Sequence, residues 1–353
     1  MSVRFRAVNW TRHKLVYDAI VVGLCVAFVA AFIGVSLAAY PDRQPDQWIP
    51  TLLMRALGTL ALVLLHVILA IGPLARLSER FTFLLANRRH LGVTLFLVAL
   101  LHALVVTGWY GGFGVENPLV AVLVRPGGGV GFEFLGFLAL LVLLLLAATS
   151  HDFWLAFLGP AAWKALHMLV YVAYALVVAH VTLGVLRSET SLVLPALLAA
   201  GALALGGLHL AAGTRELKRD AATPDRADDG WVDIGDAGDI PDQRARVVCL
   251  GGGARVAVFR DGGSLHAMSN ICSHQGGPIG EGEIIDGCAT CPWHGYQYNI
   301  ADGTSPPPYT EKIPTYELRV RGGRVQVNPE PNAPGTPTQP VSIPSDANSE
   351  HAG

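Results

Sequence analysis

CSHQGGPIGEGEIIDGCATCPWHGY, residues Cys272–Tyr296, holds three of the chain's five cysteines and two of its twelve histidines. Cys272-x-His274 is followed, sixteen residues later, by Cys291-x-x-His294. Two Cys/His pairs on two loops suit a metal centre. Zinc takes Cys₂His₂ sets, but a zinc finger usually pairs Cys with Cys and His with His. Here each loop contributes one of each. That pattern suits a centre with two unlike metal atoms: two thiolates on one iron of a [2Fe–2S] cluster and two imidazoles on the other.

The sequence around the cluster reads as short strands: RVVCL, RVAVFR, YELRVR and RVQV, separated by DGG, DGT and RGG turns. Helical periodicity is absent, so residues 231–329 are expected to form a small all-β domain. With CSH and CPWHGYQYN in place, this segment resembles a Rieske [2Fe–2S] ferredoxin domain over about 100 residues. The resemblance implies that Cys272 and Cys291 bind the buried iron and that His274 and His294 bind the outer one. Neutral imidazole in place of thiolate raises the potential above that of an all-Cys cluster. Rieske proteins of quinol oxidases carry an extra disulfide-forming Cys in each loop, and a Ser after the second loop's His-Gly. Here those places hold Gly277, Trp293 and Tyr296. Fewer donors to the cluster imply a lower potential, of the ferredoxin and oxygenase type. Cys288 is expected to be a packed strand-end residue, Cys249 core, and Cys25 inert packing. Pro306-Pro307-Pro308 is either a cover for the cluster or an ordinary rigid loop.

Outside this domain the composition changes. The chain is 353 residues long, 52% hydrophobic and 15% charged, against about 25% charged in soluble domains. The apolar excess lies before residue 212 or so. A membrane-crossing helix needs about 20 mostly apolar residues. Six spans are read: 16–40, 51–75, 91–111, 131–149, 162–186 and 191–212. The expected fold class is a six-helix transmembrane α-bundle followed by the small all-β Rieske domain. Arg4, Arg6, Arg12 and Lys14 before the first span resemble a signal-peptide start. The apolar run is too long for one, and no small-residue cleavage site ends it.

Basic residues gather in the N-terminal arm (1–15), between spans two and three (Arg76, Arg80, Arg88, Arg89) and after span six (Arg215, Lys218, Arg219). By the positive-inside rule both termini and the Rieske domain face the cytoplasm, with the inner (plasma) membrane of a bacterium as the expected location. Residues 213–230 are expected to be a charged linker and 330–353 a disordered, Pro-rich tail. A net charge of −2 without a basic cluster argues against nucleic acid as a partner.

His66, His90, His102, His151, His167, His180 and His209 lie in or beside the spans, where ionisable groups are costly. Spans three and five run in the same direction. His90 and His167 start near the cytoplasmic ends, and His102 and His180 lie about 18 and 20 Å further out at 1.5 Å per residue. Each depth therefore offers two imidazoles, enough to hold one haem. Twelve and thirteen positions turn the ligands about 120° and 140° apart on an ideal helix, so helix bending has to help. RRHLGVTLFLVALLHALV and WKALHMLVYVAYALVVAHVTLG resemble the ferric reductase-like transmembrane family over roughly 51–187. That family includes the haem-binding membrane partner of a bacterial methionine sulfoxide reductase. The resemblance implies haem b, one or two groups, held by His102, His167 and His180. His90 is a further candidate, and His66 is an alternative ligand, a quinone-site residue or a helix-packing hydrogen bond. His151 and His209 are expected at the interface.

No strand-GxGxxG-helix pattern is present for a nicotinamide or flavin module. The glycines of GGGARVAVF (251–259) read as a hairpin turn. The expected function is one-electron transfer between a cytoplasmic Rieske cluster and membrane haem, with no general acid or nucleophile. The expected partners are the lipid bilayer, a cytoplasmic redox donor or acceptor protein, and a quinone or extracytoplasmic acceptor. A tethered Rieske ferredoxin serving another oxidoreductase, and a quinone-linked enzyme using His66 or Arg55, are the other readings.

Overall fold

The computed structural model describes residues 12–42, 45–85, 87–110, 117, 120, 131–188, 192–221, 226–227, 229–251, 254–274, 276–292, 295–307 and 309–343. The chain divides into two compact units. One holds the helices up to His209; the other holds Leu74–Ala86 and the chain from Leu210 on.

The helices are α1 (Arg12–Ala39), α2 (Pro45–Leu77), α3 (Arg88–Tyr110), α4 (Glu133–Ala148), α5 (Asp152–His167), α6 (Val170–Leu183) and α7 (Val193–Ala221). Among the described residues, five stretches are long and apolar enough to cross a bilayer: Leu15–Ala39, Trp48–Leu77, Arg88–Tyr110, Ala162–Arg187 and Val193–Lys218. The expected span 131–149 is α4, whose 16 residues reach about 24 Å at 1.5 Å per residue. Among the described residues, then, five long apolar helices are shown and α4 is a shorter one. Hydropathy runs through Thr149, but the Thr149 and Ser150 hydroxyls donate back to the Leu145 and Leu146 carbonyls at 2.7 Å as the helix closes.

α2 supplies much of the bundle core: Leu52, Leu57, Leu60, Leu65 and Leu69 are all buried. α1 instead exposes Leu15, Val16, Ile20, Val22 and Leu24, an apolar surface suited to lipid. Pro50 and Pro73 lie inside α2, near its two ends. The fifth expected span is not a straight rod. Gly159 (φ 77°) breaks α5, with Pro160 following, and a turn at Met168–Leu169 separates α5 from α6. That turn falls directly after His167 and keeps right-handed helical dihedrals at Met168 and Leu169.

The β unit contains β1 (Val232–Asp236), β2 (Ala245–Gly251), β3 (Ala254–Asp261), β4 (Ser264–Ser269), β5 (Glu283–Ile285), β6 (Cys288–Thr290), β7 (Gln297–Asn299), β8 (Thr315–Tyr316), β9 (Leu318–Arg321), β10 (Arg324–Val327) and β11 (Val341–Ser342). They form three antiparallel sheets, ordered β1-β10-β9, β11-β4-β3-β2 with β8 on β4, and β5-β6-β7. The continuous apolar run VAVF in β3 has a clear cause, since the strand is buried on both faces. Val256 and Val258 enter one core with Leu265, Val325 and Val327; Ala257 and Phe259 enter a second with Met268, Ile279 and Tyr298. The second core holds the two cysteines of the loops.

Three boundary expectations change. Cys249 is half-buried, and its neighbour Leu250 enters the core instead. The linker expected from residue 213 is helical through Ala221, because TRELKRDA consists largely of good helix formers. The tail expected to be disordered is ordered through Ile343. Its backbone donates from Asn332 to Thr315, from Thr338 to Ala301 and from Ile343 to Gly263, and β11 covers the edge of β4. Low apolar content predicts disorder only when the chain finds no open strand edge. Residues 344–353 lie outside the described residues.

Candidate metal centres

The two cysteine loops leave the sheets in parallel fashion. Residues between β4 and β5 hold Cys272 and His274; those between β6 and β7 hold Cys291 and His294. In the first loop Cys272 N–H donates to Gly277 O (2.9 Å) and Gly276 N–H to Cys272 O (2.7 Å). In the second, Cys291 N–H donates to Tyr296 O (2.8 Å) and Gly295 N–H to Cys291 O (2.9 Å). The fourth residue after each cysteine is a glycine at positive φ, 70° for Gly276 and 67° for Gly295. An L-side chain there would meet its own carbonyl. One fold-back is therefore built twice.

Both cysteines are 1% exposed and share one core. His274 is half-buried, its ring stacked on Tyr296 at 4.8 Å and 10°. His294 and Trp293 lie outside the described residues. Buried thiols flanked by a more exposed imidazole fit a cluster whose inner iron takes sulfur and whose outer iron takes nitrogen.

Sequence reasoning missed two residues here. Tyr298 is fully buried, with its hydroxyl 3.5 Å from Cys272 Sγ. Burial, then the Cys272 sulfur, pushes this phenol above its ordinary value, so it remains a donor. Glu311 accepts from the Tyr296 hydroxyl. The signal for Tyr298 was available: YQY places alternate residues on one face of a strand. Glu311 carried no such signal, because it arrives on the loop after Pro306-Pro307. That loop closes through Ser305 N–H to Glu311 O and Tyr309 N–H to Pro306 O. It lies against the first cysteine loop through Ser273 Oγ to Lys312 O (3.0 Å). Tyr309 packs on Tyr296, while Pro308 lies outside the described residues. Cys288 opens β6 half-buried. Burial, then Asp286 and Asp302, raises its thiol, which suits an inert packed residue.

The membrane histidines separate by what each ring nitrogen touches. A metal-binding His usually gives Nδ1–H to a carboxylate, a carbonyl or water and keeps Nε2 for the metal. His102 Nδ1 lies 3.0 Å from Met54 O, His180 Nδ1 2.9 Å from Phe132 O, and His167 Nδ1 3.0 Å from Trp163 O. Among the described residues none of the three has a hydrogen bond at Nε2, and that of His167 is buried. His102 and His180 lie within electrostatic reach of one another. The other histidines are engaged differently. His66 uses Nδ1 on Leu62 O and Nε2 on the Tyr174 hydroxyl (3.1 Å), so the helix-packing reading describes it. His209 repeats that arrangement with Leu205 O and Tyr171. His90 Nδ1 faces both oxygens of Asp18 on α1, at 2.9 and 3.0 Å. His151 caps α5, accepting from Phe153 N–H. His102, His180 and His167 have the donor pattern that fits haem iron, and the Nδ1 of His90 on a carboxylate fits it as well.

Comparison with known proteins finds a match for each of the two domains. Residues 230–317 match the model of the Rieske [2Fe-2S] domain, and residues 57–178 match that of the ferric reductase like transmembrane component. The anthranilate 1,2-dioxygenase ferredoxin subunit of Burkholderia cepacia is 40% identical over 74 residues, 21% of this chain and 68% of that one. The protein-methionine-sulfoxide reductase heme-binding subunit MsrQ of Caulobacter vibrioides is 39% identical over 128 residues, 36% of this chain; the match spans 58% of that subunit's length. A solved complex of reduced oxygenase and oxidized ferredoxin in carbazole 1,9a-dioxygenase aligns at 29% identity. It covers 29% of this chain and 96% of that one, with a TM-score of 0.28. This chain therefore belongs, through its C-terminal domain, to the Rieske ferredoxin family, and it carries a ferric reductase-like transmembrane domain ahead of that domain.

Proposed function

We propose that this protein passes single electrons between a cytoplasmic Rieske [2Fe–2S] cluster and one or two b-type haems in the membrane. Cys272, His274, Cys291 and His294 would hold the cluster. His102 and His180 would hold one haem; His167 would serve a second, with His90, whose Nδ1 lies on the Asp18 carboxylate, as the further candidate. These groups supply one-electron transfer when bound. The chain's own part is to present ligands, bury the thiols and keep water from the sulfur side. The observation that carries this reading is the open Nε2 of His102 and His180, each with Nδ1 anchored on a carbonyl, in a chain that also bears a Rieske domain.

The basic residues at Arg76, Arg80, Arg88 and Arg89 support a cytoplasmic Rieske domain. A soluble redox protein on that side, and a quinone or extracytoplasmic acceptor on the other, complete the proposed path. The test is the ratio of haem b to [2Fe–2S] in detergent-purified protein, from pyridine haemochrome absorbance and low-temperature EPR of the reduced sample. Two haems per cluster support the four-histidine scheme, and one haem supports His102 with His180 alone. Protein that lacks haem although the cells supply it would favour a second reading, a membrane-tethered ferredoxin serving another oxidoreductase. The likeness to a dioxygenase ferredoxin subunit favours that reading.

A further inference from the structure

His102 and His180 are anchored in the same way on different helices. His102, on α3, reaches Met54 O on α2; His180, on α6, reaches Phe132 O at the start of α4. Donor and acceptor are 48 residues apart in both cases. One offset along the chain therefore relates Met54 to Phe132 and His102 to His180. The same offset relates Gly58 to Gly136. Each of these glycines stands four residues after the acceptor. A Cβ on Gly58 would come 3.1 Å from His102 Cε1, and one on Gly136 would come 2.9 Å from both Cε1 and Nδ1 of His180.

The spacing has a geometric cause. A helical Cβ leans toward the helix N-terminus and covers the turn below it, where the carbonyl four residues earlier lies. Glycine at that place bares the carbonyl and leaves room for a ring. The bared oxygen accepts a hydrogen bond from an imidazole on another helix. That bond fixes the proton on Nδ1, leaves the lone pair on Nε2 and sets the plane of the ring. His66, His167 and His209 each turn Nδ1 to a carbonyl of their own helix; Gly201 also makes room for His66, with a Cβ there 3.0 Å from its Nε2, but on the side away from the Nδ1 anchor.

We propose that Met54–Gly58 and Phe132–Gly136 are two copies of one imidazole seat, and that Gly58 and Gly136 are positioning residues that orient the His102 and His180 rings that would hold haem. The proposal rests on the reading that these two histidines hold haem.

The test uses full-length holoprotein with Gly58→Ala, Gly136→Ala, His102→Ala and His180→Ala, and with Gly92→Ala as a control, since a Cβ on Gly92 meets open space. Alanine is a better helix former than glycine, so the exchange does not of itself weaken a helix. The readouts are haem per protein, the low-spin EPR g values, which report the relative planes of the axial rings, and the midpoint potential. Gly136→Ala, the tighter site, should lower haem affinity about 10-fold or more, the usual cost of losing an outer-shell partner. Gly58→Ala should shift the g values with a smaller loss. Both should raise the potential, because a ligand deprived of its Nδ1–H acceptor is less basic and stabilises ferric iron less. Gly92→Ala should match wild type, and all variants should keep the Rieske EPR signal.

If both glycine variants match Gly92→Ala while the histidine variants lose haem, the seat is wrong and the ligand reading stands. If His102→Ala and His180→Ala keep the wild-type haem spectrum, the ligand reading fails first and takes the seat with it. Should neither glycine variant accumulate while the histidine variants do, the glycines serve helix packing and the proposal is overturned.

Discussion

Cys272 meets one side chain that the loop motif does not include. The Tyr298 hydroxyl, 3.5 Å from its sulfur, is a donor to a thiolate in a dry core. Donors to cluster sulfur stabilise the reduced, more negative form. The sequence holds Tyr296 where high-potential relatives have Ser, and Tyr296 turns its hydroxyl to Glu311 instead. Tyr298 is a donor beside the inner ligand. Tyr298→Phe should lower the cluster potential in a redox titration followed by EPR. A net hydrogen bond of about 1 kcal/mol corresponds to a shift on the order of 40 mV for one electron. An unchanged potential would assign Tyr298 to packing. Among the membrane histidines, His66 and His180 make a matched pair. His66→Phe should leave the haem spectrum intact, because both ring nitrogens are already engaged, by Leu62 and Tyr174. His180→Ala should abolish the low-spin signal of the haem it holds. Loss of that signal in His66→Phe would restore His66 as a ligand.

At the scale of elements, the tail and β4 are exposed to test. Residues 331–343 satisfy an open strand edge, and Val341 and Ile343 pack half-buried against the first core. Deleting 331–353 should lower the cluster domain's melting temperature, followed by visible circular dichroism, by several degrees. It should do so without changing the EPR of the intact cluster. On β4, His266 is 8% exposed, and burial lowers its pKa, only partly offset by Asp261. A histidine with a depressed folded pKa binds fewer protons than the unfolded chain, so its contribution is full above the unfolded value of about 6.5. It is lost as pH falls below that value toward the folded pKa. The domain should therefore melt at lower temperature as pH drops from 7 to 5, and His266→Asn should flatten that dependence. An equal slope in the variant would move the cause elsewhere.

For the whole molecule, the described residues place the candidate haem ligands in one compact unit and the candidate cluster ligands in the other. Each unit has its own core, so the two centres should load independently. Cys291→Ser should abolish the Rieske EPR signal and leave haem content unchanged, and His180→Ala should do the reverse. Coupled loss of both centres in either variant would show one folding unit.

The sequence by itself was enough for the two redox domains, because CSH…CPWHGY needs its residue types at those spacings and apolar helices must be about 20 residues long to span lipid. Strands β2, β3, β9 and β10 were legible in the same way, from β-rich runs between Gly turns. The ordered tail and the hydrogen-bond partners of individual histidines were not legible. Imidazole looks the same in a sequence whether its Nε2 is open or bonded to a tyrosine. The difference between His180 and His66 depends on which carbonyls and hydroxyls a neighbouring helix brings within 3 Å or so, and that is a property of packing alone. Gly58 and Gly136 show the same division: in the sequence they are two helix glycines among many, and only the approach of an imidazole from another helix gives each of them a function.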